Sequence, residues 1–283
     1  MECTRIRPHA GLSGLIDYYI YMQIDFSAVE DGMRYCNYLP NHKQVMMIDL
    51  GDVASLKKNK ETSFVKREAI VIPGPHLKNF FIKFNPGYHR TICVCFKPSG
   101  LFRLLGIPMH NMLNEDYSGT ELMGPVANEL CERLNNIGSE AALLQTLNEY
   151  FLSFIPKVKP VKPIDLLIAQ IEWGKYRYPD ISDMAAQVNL CPRQLERTFK
   201  ERTGLNPKLF LRLLRFSRAC RLKECYPDKK WTEIAYQADY FDQMHFIRDF
   251  KAFTDTTPMS LLKELQTTVP FQKNFDERLL ESL

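Results

Sequence analysis

Apolar residues in the C-terminal half of the chain recur with a helical period. The first set lies between Asp180 and Lys200 and comprises Ile181, Met184, Ala185, Val188, Leu190, Leu195 and Phe199. Spacings of three and four residues describe one face of an α-helix, and the period restarts at Leu195 after a break at residues 189–192. The pattern predicts a short helix, a tight turn and a second helix.

The same pattern returns further along the chain. The second set comprises Trp231, Ile234, Ala235, Ala238, Tyr240, Phe246 and Phe250. The offset between the sets is 50 residues before the turn and 51 after it, which places one extra residue in the second turn, near Phe241. A repeat of this kind indicates two copies of one supersecondary unit. A long helix from Pro207 to about Cys225 is predicted to hold the two units rigidly together.

The turn residues fit a helix-turn-helix. Asn189 and Asp239 occupy the same place in the two turns, where a positive φ is expected and Asn and Asp tolerate it. Asp242 is predicted to cap the helix that follows it. In the first unit Cys191 takes that position as a weaker cap, and Pro192 suits the first helical position because its missing N–H costs nothing there.

The second helix of each unit presents a polar and basic face once its apolar residues are turned inward. The two faces comprise Arg193, Gln194, Glu196, Arg197 and Lys200, and Gln243, Met244, His245, Ile247, Arg248 and Lys251. Amide and guanidinium groups match the edges of bases, and lysine suits phosphate. A basic helix face alone is usually only solvated, but two copies in register favour double-stranded DNA as the partner.

The distribution of charge supports this interpretation. Residues 161–270 hold 18 Lys and Arg against 14 Asp and Glu, and the remainder of the chain is neutral. Between Pro192 and Lys223 there are ten basic residues and only two acidic ones. We expect a local positive field that attracts a phosphate backbone.

These motifs carry a resemblance over roughly residues 164–265. The residues that carry it are Ala185, Leu195, Arg197, Phe199, Lys200, Gly204, Pro207, Arg215, Ala219, Glu233, Ile234, Ala235, Phe246, Arg248, Phe250, Lys251 and Pro258. In this pattern the chain resembles the AraC/XylS class of bacterial transcription regulators. The resemblance implies RNA polymerase as a partner and, at the N-terminus, a cupin-like domain that binds a small-molecule effector.

The chain departs from that class at five positions. Cys191 replaces the usual Ser, Asp239 and Asp255 replace Gly, Tyr240 replaces Phe, and Met244 replaces Ser. The two aspartates are compatible with the expected backbone, so the fold is unaffected. Cys191 and Met244 lie on the predicted DNA face, so the preferred DNA sequence is expected to differ.

The N-terminal part of the chain reads as strands. Short runs rich in β-branched and aromatic residues occur at Val45–Leu50, Ala69–Ile72, Phe80–Phe84 and Thr91–Phe96, separated by Pro, Gly and Asn turn signals. Strands at this spacing predict a β-sandwich or small barrel.

Two amphipathic helices and a proline-rich segment follow. The helices are predicted at Glu121–Leu134 and Ser139–Phe154, and they would pack on the sheet or against a second subunit of a homodimer. Prolines at 156, 160 and 163 favour an extended, stiff spacer.

The predicted fold class is therefore α+β with several domains. A β-sandwich or jelly-roll-like domain with its helical pair occupies residues 1–155, and the linker 156–163 follows. An all-α domain of two helix-turn-helix units occupies 164–265, and the tail 266–283 has no assigned role.

Candidate chemistry outside the repeats is sparse. The eight cysteines show no metal-site spacing, and Cys93 and Cys95 are expected on the same side of a strand in a core. His42, His76 and His89 are isolated from one another, so we predict no metal and no cofactor. No apolar run approaches the roughly 18 residues of a membrane span, and the expected location is the cytoplasm.

The function predicted from these patterns is sequence-specific DNA binding by a transcription regulator, modulated by a small molecule or by dimerisation through the N-terminal domain. The alternative is an enzyme, either a metal cupin or an alkyl-transfer protein, that the helical units target to DNA. A third reading is a regulator whose N-terminal domain serves assembly alone.

Overall fold

The computed structural model describes residues 2–58, 61–174 and 180–265. Strands fill the N-terminal part of these residues and helices the C-terminal part, so the predicted fold class is confirmed. The predicted tail, 266–283, lies outside the described residues.

The strands form two sheets. They are β1 (Glu2–Ile6), β2 (Ile16–Asp25), β3 (Tyr35–Tyr38), β4 (Val45–Leu50), β5 (Ser55–Lys58), β6 (Val65–Lys66), β7 (Ile70–Pro73), β8 (Phe80–Lys83), β9 (Tyr88–Phe96) and β10 (Asp116–Ser118). One sheet has the order β1-β2-β9-β4-β7-β10 and the other β3-β8-β5-β6. The strand pairs within both sheets are antiparallel.

The helices are distributed over both parts of the chain. They are α1 (Gly100–Leu105), α2 (Gly119–Met123), α3 (Val126–Asn135), α4 (Glu140–Phe154), α5 (Pro163–Glu172), α6 (Ile181–Gln187), α7 (Pro192–Thr203), α8 (Pro207–Cys225), α9 (Trp231–Gln237), α10 (Gln243–Thr254) and α11 (Pro258–Leu265). The predicted connecting helix is thus confirmed as α8.

The larger sheet is covered on both faces, which explains why β4 is apolar at nearly every position. Val45 and Met47 pack towards the smaller sheet, whereas Met46 and Ile48 pack in the core that includes residues of α3 and α4. Cys93 and Cys95 lie together between the sheets, as predicted. Burial raises the pKa of the Cys95 thiol to about 12, so this thiol stays protonated and acts as an apolar side chain.

One predicted helix is wrong. The span Glu121–Leu134 is interrupted at Gly124, whose φ of 75° and ψ of −164° suit glycine almost alone, and at Pro125, which lacks an N–H. The chain therefore forms α2 and α3 instead of one helix. The next helix, α4, is confirmed, and the Ser139 side chain caps it by accepting from the N–H of Ala142.

The proline-rich segment is held against the N-terminal domain. Residues Ile155–Lys157 form one turn of 3-10 helix, and α5 begins at Pro163. Between them, the Lys159 N–H donates to the Arg103 carbonyl (3.0 Å), and the Arg103 Nε donates to the Lys159 carbonyl (2.8 Å). A spacer that did not contact the N-terminal domain would not make these hydrogen bonds. The segment is therefore attached to that domain, which its proline-rich composition does not indicate. The linker bounds 156–163 stay a prediction.

A buried carboxylate joins the strand domain to the helical domain. Glu172, at the end of α5, accepts hydrogen bonds from His42 Nε2 (3.1 Å) and from the Lys43 ammonium group. Burial alone raises the pKa of Glu172, but the Lys43 charge and the His42 contact outweigh it, so this pKa lies well below its usual value. Glu172 is therefore ionised within the domain contact.

A second contact reaches α7 directly. The Gln44 side chain donates to the Arg202 carbonyl (2.8 Å), and the Arg202 Nε donates to Asp165 of α5 (2.6 Å). The Arg202 guanidinium also lies over the Phe102 ring of α1, at 5.0 Å from its centroid. Arg202 and Asp165 are 4% and 5% exposed, so their charges neutralise each other out of water.

The C-terminal ends of α7 and α10 both touch the strand domain. Gly204 ends α7 with a φ of 82°, and a Cβ there would lie 2.6 Å from Pro75 Cγ and 3.0 Å from the Met109 carbonyl oxygen. Asp255 ends α10 with a φ of 56°, and its carboxylate pairs with Lys78. Equivalent positions of the repeat thus meet the same domain in different ways.

We predict that Gly204→Ala destabilises the protein by at least about 1–2 kcal/mol, because alanine strains the left-handed backbone and also displaces Pro75 or Met109. The matched change Asp255→Gly relieves the backbone and loses the exposed ion pair with Lys78, so it should stay within about 1 kcal/mol of the wild type. Urea unfolding of the full chain measures both. Equal effects of the two changes would contradict the packing described for Gly204.

We also predict that Arg202→Ala costs roughly 3–5 kcal/mol, because it leaves the Asp165 carboxylate buried without its partner. Arg193→Ala removes a guanidinium from the exposed side of the same helix and should cost about 0.5 kcal/mol or less. The double change Arg202→Met with Asp165→Leu should recover part of the loss in urea unfolding. No recovery would mean that packing, and not the unpaired charge, sets the cost.

Candidate nucleic-acid interface

The first helix-turn-helix unit consists of α6 and α7. The Asp180 carboxylate caps α6 by accepting from the Ser182 N–H (2.7 Å), and this hydrogen bond lowers the pKa of Asp180. Asn189 turns the chain with a φ of 54°, and the Leu190 N–H donates back to the Ala185 carbonyl (2.9 Å). The predicted positive φ in this turn is confirmed.

The second unit, α9 and α10, repeats the geometry of this turn. Asp239 has a φ of 64°, and the Tyr240 N–H donates to the Ala235 carbonyl (3.0 Å), each 50 residues after its counterpart. The following helix begins at Gln243, 51 residues after Pro192, so the extra residue of the second turn is confirmed. Asp242 caps α10 as predicted, through a 2.6 Å bond from the His245 N–H.

The ends of α7 and α10 also match. The Thr203 hydroxyl donates to the Phe199 carbonyl and accepts from the Leu205 N–H. The Thr254 hydroxyl makes the same two bonds, to the Phe250 carbonyl and from the Thr256 N–H. The two second helices therefore end in the same way.

Both second helices are anchored to α8. In α7, Leu195 and Phe199 are fully buried, and the Phe199 ring meets Phe210 of α8 edge-on at 5.3 Å. In α10, Phe250 meets Phe216 of α8 in the same way at 5.5 Å. One helix thus sets the position of both outward faces.

On α7, every predicted contact residue is exposed. These residues are Arg193, Gln194, Glu196, Arg197 and Lys200. Gln194 has a second task, because its side-chain oxygen accepts from the Cys191 N–H (3.2 Å) at the start of the helix. The side chains around Arg197 are thus free to meet a ligand, whereas the Gln194 oxygen is already bonded.

On α10, Gln243, Met244, Arg248 and Lys251 are exposed. His245 is half-buried, with its ring edge-on to Tyr240 at 5.6 Å. The predicted outward position of Ile247 is wrong, because this side chain is half-buried against the helical core. The outward surface of α10 is therefore narrower than the sequence suggests.

The predicted excess of positive charge is largely neutralised within the fold. Four arginines of the stretch 192–223 form ion pairs with acidic residues outside it. The pairs are Arg202 with Asp165, Arg212 with Asp249, Arg218 with Asp239 and Arg221 with Glu224. Lys223 donates to the carbonyls of Pro227 and Lys229. Exposed basic side chains remain at Arg193, Arg197, Lys200 and Lys208.

Two of these pairs position the second unit, and neither was predicted from the sequence. Arg212 Nη2 lies 2.7 Å from the buried carboxylate of Asp249 in α10, and Arg218 Nη1 lies 2.9 Å from Asp239 in the turn. Asp249 lies between Arg248 and Lys251 and next to the core residue Phe250. An acidic residue at such a position is a signal that could have indicated a buried ion pair. Phe241 is a further residue that the charge-based reading passed over, and it is 85% exposed.

The described residues offer little to other chemistry. No group of three or more His, Cys, Asp or Glu side chains among them could hold a metal ion. His76 bonds Asp116 (2.8 Å) and His89 bonds the Asn85 carbonyl (2.9 Å), each at a separate place. None of the helices described is long and apolar enough to cross a membrane.

Comparison with protein families gives a match in each half of the chain. A family described as helix-turn-helix domain matches residues 184–264. A family described as domain of unknown function (DUF6597) matches residues 4–118.

Relatives and solved structures were also found. The HTH-type transcriptional activator RhaS of Yersinia pestis (strain Pestoides F) is 35% identical over 95 residues, which cover 34% of this chain and 32% of that protein. RhaS of Yersinia pseudotuberculosis serotype O:1b (strain IP 31758) gives the same values. The chain thus spans about a third of the length of these relatives.

Among solved structures, ToxT from Vibrio cholerae O395 aligns with a TM-score of 0.46 and 13% identity, over 87% of this chain and 97% of ToxT. The AraC-like transcriptional activator CuxR aligns with a TM-score of 0.24 and 9% identity, over 78% of each chain.

The helix-turn-helix match covers both turns and both second helices, α7 and α10, which carry the residues of the predicted resemblance. The C-terminal part of the chain therefore matches this helix-turn-helix family in the same region where its sequence resembles the AraC/XylS class.

Proposed function

We propose that the protein is a sequence-specific DNA-binding transcription regulator whose helices α7 and α10 enter successive major grooves. The observation that carries this proposal is the repeated turn geometry of the two units, each with an exposed Arg and an exposed Lys three residues apart on the outward face of its second helix. Repetition of that surface fits a ligand that itself repeats, and the major grooves of DNA recur about every 34 Å on one face.

Within each unit, different types of side chain have different roles in DNA binding. Arg193, Arg197, Gln243 and Arg248 read base edges or adjacent phosphates, since guanidinium and amide groups bond bases in pairs. Lys200 and Lys251 hold phosphate near the helix ends. Gln194, Glu196 and His245 lie at the edge of this surface and take lesser parts, since the Gln194 oxygen and the His245 ring already have partners within the protein.

The rigid core between the units supports a fixed spacing of the two DNA boxes. Phe210 and Phe216 of α8 pack on α7 and α10 respectively, so the helices do not move independently. Arg212 and Arg218 add buried and half-buried ion pairs to the second unit. We infer a preferred separation of one helical turn, and poor tolerance of any other.

The N-terminal domain is proposed to bias DNA binding through its contacts with α5 and α7, in response to a small molecule or to homodimerisation. A cleft at this contact is lined by residues of both domains, including His42, Gln44 and Glu172, and has room for about one water molecule. An effector at this place would have to open the contact around Glu172. The likeness to RhaS, an activator by its name, supports activation of transcription. The proposal includes RNA polymerase as a partner. Since its target is chromosomal DNA, the proposal also includes a location in the cytoplasm.

We predict that the full chain selects two short boxes, about one helical turn apart, from a random DNA duplex library. Inserting half a turn, about 5 base pairs, between the boxes should abolish the selected binding. The insertion moves the second box to the opposite face of the duplex, and the packing of α8 prevents the second unit from following it. The control is an insertion of the same length outside the boxes. Salt-sensitive retention of DNA with no enriched sequence would contradict the proposal, since it would leave only attraction to the backbone.

We predict that Arg197→Ala and Lys200→Ala weaken DNA binding in different ways. Loss of a base-reading arginine should cost roughly 1–3 kcal/mol on the selected site and relax the preference at one position. Loss of a phosphate-binding lysine should weaken all sequences alike and reduce the salt slope by roughly one unit. Binding titrations at several salt concentrations measure both effects, and equal changes in sequence preference would refute the division of labour.

A further inference from the structure

Two large apolar side chains stand in water beside the outward face of α10. Phe241, in the turn, is 85% exposed, and Met244, in the first turn of the helix, is 59% exposed. Both residues could have joined the adjacent core, as Phe246 and Phe250 do at 0% exposure. The two residues are three positions apart at the start of a helix that is proposed to bind DNA, so they are placed to contact the ligand of that helix.

The repeat shows that this apolar surface is peculiar to the second unit. Met244 corresponds to Arg193, 51 residues earlier, and Phe241 is the extra residue of the second turn, with no counterpart in the first. Both units keep the Arg and Lys further along the helix, at Arg197 and Lys200 and at Arg248 and Lys251. The two units therefore differ in the side chains at the start of the second helix, and they share the Arg and Lys further along it.

The first turn of the second helix is the part of a helix-turn-helix that meets base edges in the major groove. In that groove, nearly every group a base presents is a hydrogen-bond donor or acceptor, and the C5-methyl group of thymine is the apolar exception. A thioether and a phenyl ring cannot bond donors or acceptors well, but they can bury a methyl group. An arginine at the same place in the first unit instead matches guanine.

We propose that Phe241 and Met244 read thymine by covering its C5-methyl group, so that the second box is specified by thymine where the first box is specified by guanine opposite Arg193. The inference rests on the proposed function, because it assigns the apolar surface to duplex DNA. Arg248 and Lys251, on the same helix, supply the positive charge that such a partner requires.

The test removes one methyl group at a time. In the duplex selected by the full chain, each thymine is replaced singly by deoxyuridine, which keeps base pairing and lacks only the C5-methyl group. Burial of one methyl group is worth about a fourfold change in affinity. We therefore expect wild-type protein to lose about fourfold at one or two thymines of the second box and nothing at other thymines.

The same duplexes are then titrated with Met244→Ala and Phe241→Ala. Each variant should bind the thymine duplex more weakly than wild type, and each should lose its sensitivity to deoxyuridine at the thymine it contacts, because a double-mutant cycle reports the pair directly. Met259→Ala is the matched control. Met259 is 66% exposed but lies on α11, so this variant should behave as wild type.

Four outcomes would overturn the inference while leaving the proposed function intact. Specific binding with no deoxyuridine effect in the second box would show that no thymine methyl group is read there. Deoxyuridine effects that persist unchanged in both variants would assign the methyl group to another residue. Equal weakening of binding to all sequences would assign the surface to the DNA backbone, and unchanged DNA affinity in both variants would indicate a protein partner. Failure of the full chain to enrich any sequence would instead refute the proposed function itself.

Discussion

The packing of α8 between α7 and α10 is the constraint on which the C-terminal domain depends. Phe210 and Phe216 lie two turns apart on α8, and each meets a phenylalanine of one outer helix edge-on. Since such aromatic contacts combine large buried area with a preferred geometry, they fix both the distance and the orientation of the two outward faces. Each face has its own turn and cap, but neither has a defined relation to the other without α8.

Electrostatics then refines what packing has set. Four of the seven arginines between residues 192 and 223 do not form a positive surface, because Asp165, Asp239, Asp249 and Glu224 pair with them. A buried pair contributes little net stability, but removing one partner leaves an uncompensated charge, so these pairs penalise alternative arrangements of the helices. Exposed positive charge is left on the outward faces of α7 and α10, at Arg193, Arg197, Lys200, Arg248 and Lys251.

Local features of this fold could be predicted from the sequence, and long-range ones could not. The repeat, the positive φ at Asn189 and Asp239 and the cap at Asp242 all depend on neighbours within a few residues, so their pattern is visible in the chain. The break at Gly124 and Pro125 is also local, but amphipathic spacing continues across it and hides it. The pairing of Arg212 with Asp249 joins residues 37 positions apart, and the local sequence around either residue does not indicate which residue it pairs with. For the same reason charge counting overestimated the basic surface and overlooked Phe241, which is informative only because the fold leaves it exposed.

The two units differ most in how they meet the strand domain. The first unit contacts the strand domain through Gln44, which bonds Arg202, and through Pro75 and Met109, which pack around Gly204. The adjoining helix α5 is bound by His42 and Lys43 at Glu172. The second unit meets that domain through the Lys78 to Asp255 pair, which lies in water and is worth little. A rearrangement in the strand domain therefore acts first on α5 and α7, and α8 carries it to α10. Because α8 is packed against both outer helices, a displacement of the first unit changes the spacing of the two faces instead of being absorbed between them.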